Sequence, residues 1–81
     1  MPSGWFAQVA APRRSDDANF LARQLRKSGF SAIVETAKVN GQEYYRVLVG
    51  PERSREQTNR LVKQLMREPY MQGDPFPRYV P

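Results

Sequence analysis

Hydrophobic and polar positions along the chain follow two rhythms in turn, and the pair of rhythms occurs twice. The stretch Trp5-Phe6-Ala7-Gln8-Val9-Ala10-Ala11 runs up to Pro12, and Tyr44-Tyr45-Arg46-Val47-Leu48-Val49-Gly50 runs up to Pro51. Aromatic and β-branched residues in alternation predict a strand for each, ended by its proline. Each is followed by apolar positions spaced i, i+3, i+4, i+7, one buried stripe on a helix. The first stripe is Ala18, Leu21, Ala22 and Leu25; the second is Thr58, Leu61, Val62 and Leu65, with Thr58 its weakest member. Ser15 and Ser54, each three residues past its proline, are predicted N-caps, and Gln57 completes a capping box with Ser54. Asp16 and Asp17 suit the positive end of the first helix, Arg26 and Lys27 its negative end, and Gly29 its stop. The serines repeat at an offset of 39 and the stripes at 40, which predicts one residue gained or lost between cap and stripe.

Phe30 to Thr36 reads as a further strand, and Ala37 to Glu43 as a hairpin loop around Asn40-Gly41. Pro69 to Pro77 reads as a loop, and Phe76 to Val80 as a short last strand whose prolines fit only an edge. The order β-α-β-β-α-β packs most simply as an α+β two-layer sandwich, ferredoxin-like or RNP-like. It has a four-stranded antiparallel sheet, first and third strands central, and both helices on one face. Alternation puts Ala7, Val9, Ala32, Val34, Tyr45, Val47 and Val49 against the helices. The open side then carries Phe6, Gln8, Ile33, Glu35, Tyr44, Arg46 and Leu48. A face mixing aromatics, aliphatics, an amide and a guanidinium is a candidate binding surface. The competing readings are a loop or C-terminal segment laid over it, or a second copy paired to it. Arg46 and Glu35 also suit a plain surface ion pair, which contributes little.

Composition narrows the choice. The chain has 81 residues, one domain over 1–81 with a core at about 5–80, and 40% of it is hydrophobic. No apolar run approaches the roughly 20 residues that span a bilayer. Met1-Pro2-Ser3-Gly4 lacks the basic start and apolar stretch of a leader, so the chain reads as a piece of a longer protein. Without cysteine or histidine it has no disulfide and no catalysis by either residue, and no metal or cofactor is expected. Its carboxylates show no acid/base spacing, so no catalytic residue is assigned. The net charge of +5 points to an anionic partner or simply to a soluble surface.

Three segments together resemble the SPOR (sporulation-related) domain: Trp5-Phe6-Ala7-Gln8-Val9-Ala10, Leu25-Arg26-Lys27-Ser28-Gly29-Phe30, and Tyr45-Arg46-Val47-Leu48-Val49-Gly50-Pro51. The resemblance runs from about Trp5 to Leu65. It implies a non-catalytic module in the bacterial envelope that binds peptidoglycan, preferring glycan strands denuded of stem peptides, and so targets its parent protein to the division septum. That parent could be a division protein, an amidase or a lytic transglycosylase. The implied surface is the open sheet face, with Gln8 in the place of the family's first-strand glutamine and Tyr44 and Arg46 in its aromatic–x–arginine pair. Phe6, Ile33 and Leu48 share that face. The last strand often helps line the groove in this family; Phe76 or Tyr79 would do so here, and Tyr79 joins the contact set. The chain departs from many members in having Ala11 where they have serine, Tyr44 where some have tryptophan, and no cysteine pair. The implied domain is a monomer outside the cytoplasmic membrane, without nucleic acid and without membrane insertion. An RNA-binding module of the RRM type shares the element order, but its third strand carries a basic-Gly-aromatic pattern that Tyr44 to Val49 lacks. A ferredoxin-like interaction or dimerisation domain is the other alternative.

Overall fold

The computed structural model describes residues 3–81; Met1 and Pro2, which open the predicted 1–81 domain and the leader argument, lie outside the described residues. Six elements follow one another: β1 (Gly4–Ala10), α1 (Ser15–Lys27), β2 (Ala32–Val39), β3 (Gln42–Glu52), α2 (Arg55–Leu65) and β4 (Phe76–Val80). The strands form one antiparallel sheet in the order β2-β3-β1-β4. α1 packs over β2 and β3, and α2 over β1 and β4. The fold is the α+β two-layer sandwich that the hydrophobic rhythm predicts.

The main core lies between sheet and helices. Ala18, Ala22 and Leu25 of α1 and Leu65 of α2 meet Ala7, Val9, Ala32, Val47 and Val49. Thr58 is wholly buried in the α2 stripe, and its hydroxyl donates to the Ser54 carbonyl at 2.8 Å, so its burial orphans no polar group. After α2 the chain crosses back to α1. Tyr70 and Met71 pack on the core, and the Tyr70 hydroxyl bonds the Ser28 hydroxyl at 2.9 Å. The start of the segment between Pro69 and Pro77 is therefore docked against α1.

The caps correct one expectation. Ser54 caps α2, its hydroxyl accepting from the Gln57 N–H at 3.1 Å. Gln57 answers one residue earlier than a capping box requires, since its side-chain oxygen accepts from the Arg53 N–H. In α1 the cap is Arg14, without a side-chain bond, and Ser15 is already helical. Only one residue separates Pro12 from its cap, whereas two separate Pro51 from Ser54. Caps and stripes thus share one offset of 40 residues, and the length change lies between proline and cap. At its other end α1 closes with Gly29 at φ +93°, the Gly29 N–H on the Arg26 carbonyl and the Phe30 N–H on the Leu25 carbonyl. This is the Schellman arrangement.

Two strand boundaries also differ from expectation. The hairpin loop shrinks to Asn40-Gly41, with φ 51° and 79°, and pairing runs from Val39–Gln42 without a break. Positive φ at both turn residues matches the twist of the flanking strands, so the ladder closes to the shortest loop. β3 also continues past Pro51 to Glu52, which pairs with Trp5. The proline sits in a register irregularity where no ladder bond is required of it. Gly50 occupies the same irregularity at φ +145°, and a Cβ there would come within 2.9 Å of the Trp5 carbonyl oxygen and 3.1 Å of the Phe6 ring.

Gly50→Ala is expected to destabilise the domain by on the order of 2–3 kcal/mol, since both backbone conformation and space are refused. Gly29→Ala meets open space and should cost about 1 kcal/mol. Equilibrium urea unfolding compares the two; equal costs would show that the contact with β1 does not matter.

Candidate functional site

Strand register builds the face that the helices leave open. Ile33, Leu48, Gln8 and Phe76 form one row across all four strands. Glu35 pairs with Arg46 on one side of that row, followed by Ala37 with Tyr44; Phe6 pairs with Arg78 on the other side. Phe6, Gln8, Ile33, Tyr44, Arg46 and Leu48 therefore do share one face.

Burial divides them into two roles. Phe6 and Leu48 are wholly buried and join Val80 and the partly buried Ile33 in a second, smaller cluster. These apolar side chains form the floor of the face and offer no surface for a ligand as they stand. The accessible groups lie around that floor. Tyr44 and Arg46 are partly exposed on β3. The Arg46 Nη1 lies 3.4 Å from the Glu35 carboxylate, with both side chains about one-fifth exposed (21% and 18%). Gln8 is 8% exposed, and its side-chain oxygen accepts from the Arg78 Nε at 2.6 Å. No buried side-chain nitrogen or oxygen among the described residues lacks a partner. The Gln8 amide nitrogen, which has no acceptor among the described residues, therefore keeps access to solvent.

Tyr79 is placed differently from expectation. It pairs with Trp5 and lies on the helix side of β4, so it is separated from Gln8 and Arg46 by the thickness of the sheet. Side chains alternate along β4, and the register that puts Phe76 beside Gln8 turns Tyr79 away. Phe76 and Arg78 occupy the open face instead. The sequence did carry a signal for them: Phe76-Pro77-Arg78 repeats the aromatic–x–arginine spacing of Tyr44-Tyr45-Arg46.

Two strands thus present an aromatic and a guanidinium at matched spacing, with a glutamine donor between them. The face is shallow. Concavities occur elsewhere on the surface, one of about 430 Å³ between α2 and the end of β3, lined by Pro51, Arg53, Gln57 and Arg60 among others. An extended polymer could lie across such a face. The SPOR domain family profile matches residues 2–77.

The chain belongs to the SPOR domain family. No curated protein and no solved structure matches it. SPOR domains are non-catalytic peptidoglycan-binding modules, so cell-wall binding is the activity that membership supports. In this SPOR domain the basic character is not concentrated on the strands. The four strands carry Lys38, Arg46 and Arg78 against Glu35, Glu43 and Glu52. They are neutral overall. The helices and connections hold ten basic and five acidic residues, the entire +5. The domain is 20 Å across its shortest dimension, and charge is screened over about 8 Å at physiological salt. The cations of α1 and α2, which account for +3 of the excess, therefore contribute little on the far side of the sheet. What the face offers is local: two guanidiniums, one carboxylate, and one outward amide donor.

Leu48→Ala should cost about 2–5 kcal/mol of folding stability, the penalty of a cavity in a packed floor. Arg46→Ala should cost less, about 1 kcal/mol, because its single contact with Glu35 is long at 3.4 Å and the pair keeps some access to water. Urea unfolding of both variants checks the division into floor and contact; a large loss with Arg46→Ala would overturn it.

Proposed function

We propose that this SPOR domain binds glycan strands of peptidoglycan that have lost their stem peptides, through the open sheet face, and so carries the protein that contains it to the division septum. The observation that supports this most is the pair of aromatic–x–arginine strands flanking Gln8. Glycan rings have apolar faces that pack on aromatic side chains such as Tyr44 and Phe76. Hydroxyls and N-acetyl carbonyls accept from the outward Gln8 amide. Removal of the stem peptide turns the lactyl amide of muramic acid into a free carboxylate. Arg46 and Arg78 then have an anion held directly on the sugar to meet with charge-assisted bonds, whereas a peptide-bearing strand carries an amide at that position. Stem peptides also crowd a shallow face. Both terms favour stripped strands.

The site so proposed is Gln8, Tyr44, Arg46, Phe76 and Arg78, resting on Phe6, Ile33 and Leu48. It acts as a monomer outside the cytoplasmic membrane, with no cofactor and no nucleic acid. No helix among the described residues is long and apolar enough to cross a membrane.

Cosedimentation with cell-wall sacculi tests the reading. Retention should be greater on amidase-treated than on untreated sacculi, and Arg46→Ala should reduce it by about tenfold or more, the loss of a bond to a charged group. Glu35→Gln frees Arg46 and should strengthen binding a few-fold. Equal retention on both materials, unaffected by Arg46→Ala, would remove the denuded-glycan assignment.

A further inference from the structure

β4 is an edge strand of five residues, yet it exposes an aromatic ring on each of its faces. Phe76, on the open side, is 45% exposed, and Tyr79, on the helix side, is 55% exposed. Tyr79 does not stand alone. Its ring meets Trp5 on β1 edge-to-face, centroids 5.4 Å apart at 61°. The guanidinium of Arg55, the first residue of α2, lies 5.6 Å from the Trp5 ring centroid. The Trp5 indole N–H has no acceptor among the described residues, and no buried nitrogen there is left unpaired, so it reaches solvent. α2 thus stops short of covering the outer end of β4. It leaves an aromatic pair, a guanidinium and a free indole donor at the rim.

This cluster has no evident part in holding the core, since none of its three residues belongs to either buried cluster. It is also poorly suited to receive another strand, because Pro77 in the middle of the edge has no N–H to offer. What it resembles chemically is the open face: a ring surface beside a guanidinium and a neutral N–H donor. The two are contiguous, because Arg78 and Tyr79 are adjacent residues pointing to opposite sides of one strand. One step of about 4.8 Å separates β1, with Gln8, from the edge.

We infer that Tyr79, Trp5 and Arg55 form a second saccharide subsite, which takes sugar rings of the same glycan strand after it passes over the β4 edge. The inference rests on the open-face reading proposed above. Tyr79 stacks on the apolar face of a sugar ring, while Arg55 and the Trp5 N–H donate to its hydroxyl, carbonyl or carboxylate oxygens. A short fragment fills the open face alone. Only a longer strand reaches both, so affinity rises with length beyond the fragment that saturates the open face.

The chain has a single tryptophan, and its emission reports on this subsite directly. Denuded glycan fragments of increasing length are titrated into the domain and into Tyr79→Ala, Arg55→Gln and Arg46→Ala, with calorimetry for affinity and Trp5 fluorescence for contact. Unchanged thermal unfolding confirms that each variant is folded. The expected result is a threefold to tenfold loss for long fragments with Tyr79→Ala and with Arg55→Gln, no change for short ones, and a change in Trp5 emission with long fragments only. Arg46→Ala should weaken short and long fragments alike. If Tyr79→Ala and Arg55→Gln leave every length unaffected and Trp5 emission stays constant, the second subsite is wrong while the open face stands. If Arg46→Ala has no effect but the rim variants abolish binding, the open-face reading is wrong and the rim is the primary site. Absence of binding by the unaltered domain at every length overturns both.

Discussion

Four consecutive residues of β1, Phe6 to Val9, are buried, and the remainder of the structure is arranged around that strand. Ala7 and Val9 point into the main core, while Phe6 and Gln8 point the other way. A strand packed on both faces cannot slip by one residue without driving the Phe6 ring into the core beneath the helices, which Ala7, Ala18, Ala22 and their neighbours already fill. It also fixes its neighbours. β3 can lie against it only because Gly50 lets the two backbones come close at the Phe6 ring, and β4 can lie against it with Arg78 reaching the Gln8 oxygen. Register, the floor of the open face and the position of its one amide therefore follow from the same constraint.

That constraint explains what could be seen in the sequence and what could not. Element order, the two helical stripes and the central place of the first and third strands were visible, because hydrophobic spacing is a local property and each helix buries one face. The division of side chains between sheet faces was visible for the same reason. Depth was not. Phe6 and Leu48 were assigned to the correct side, but their complete burial depends on lateral packing with Ile33 and Val80 across four strands, which no single stretch encodes. The N-cap of α1 was misplaced at Ser15 because serine is the better capping residue, while chain length from Pro12 decides that Arg14 holds the position. Tyr79 was misplaced because the register of an edge strand is set by a partner seventy residues away, and aromatic character alone does not say which way a ring faces.

The distribution of charge separates two properties that composition runs together. A chain with an excess of five positive charges invites the view that its binding surface is basic. Here the strands are balanced and the helices and connections share the excess, so the open face offers a few placed donors rather than a broad field. Such a face has little power to draw in a distant polyanion. On the proposed reading it discriminates at contact, where a carboxylate newly freed from an amide changes the number of hydrogen bonds that can be made. The ion pair of Arg46 with Glu35 sharpens this, because a ligand carboxylate has to do better than one already present.

The equal spacing of caps and stripes in the two halves has a topological consequence. Gly4 and Val80 are paired neighbours at one end of the sheet, and Asn40-Gly41 forms the tight turn between the halves. Joining the first pair and opening the turn would give a circular permutant that runs β3, α2, β4, β1, α1, β2. Its order is again β-α-β-β-α-β. The fold is thus indifferent to which half is made first, and its two strand–helix–strand units can be regarded as a covalently tethered pair, each supplying one central and one edge strand.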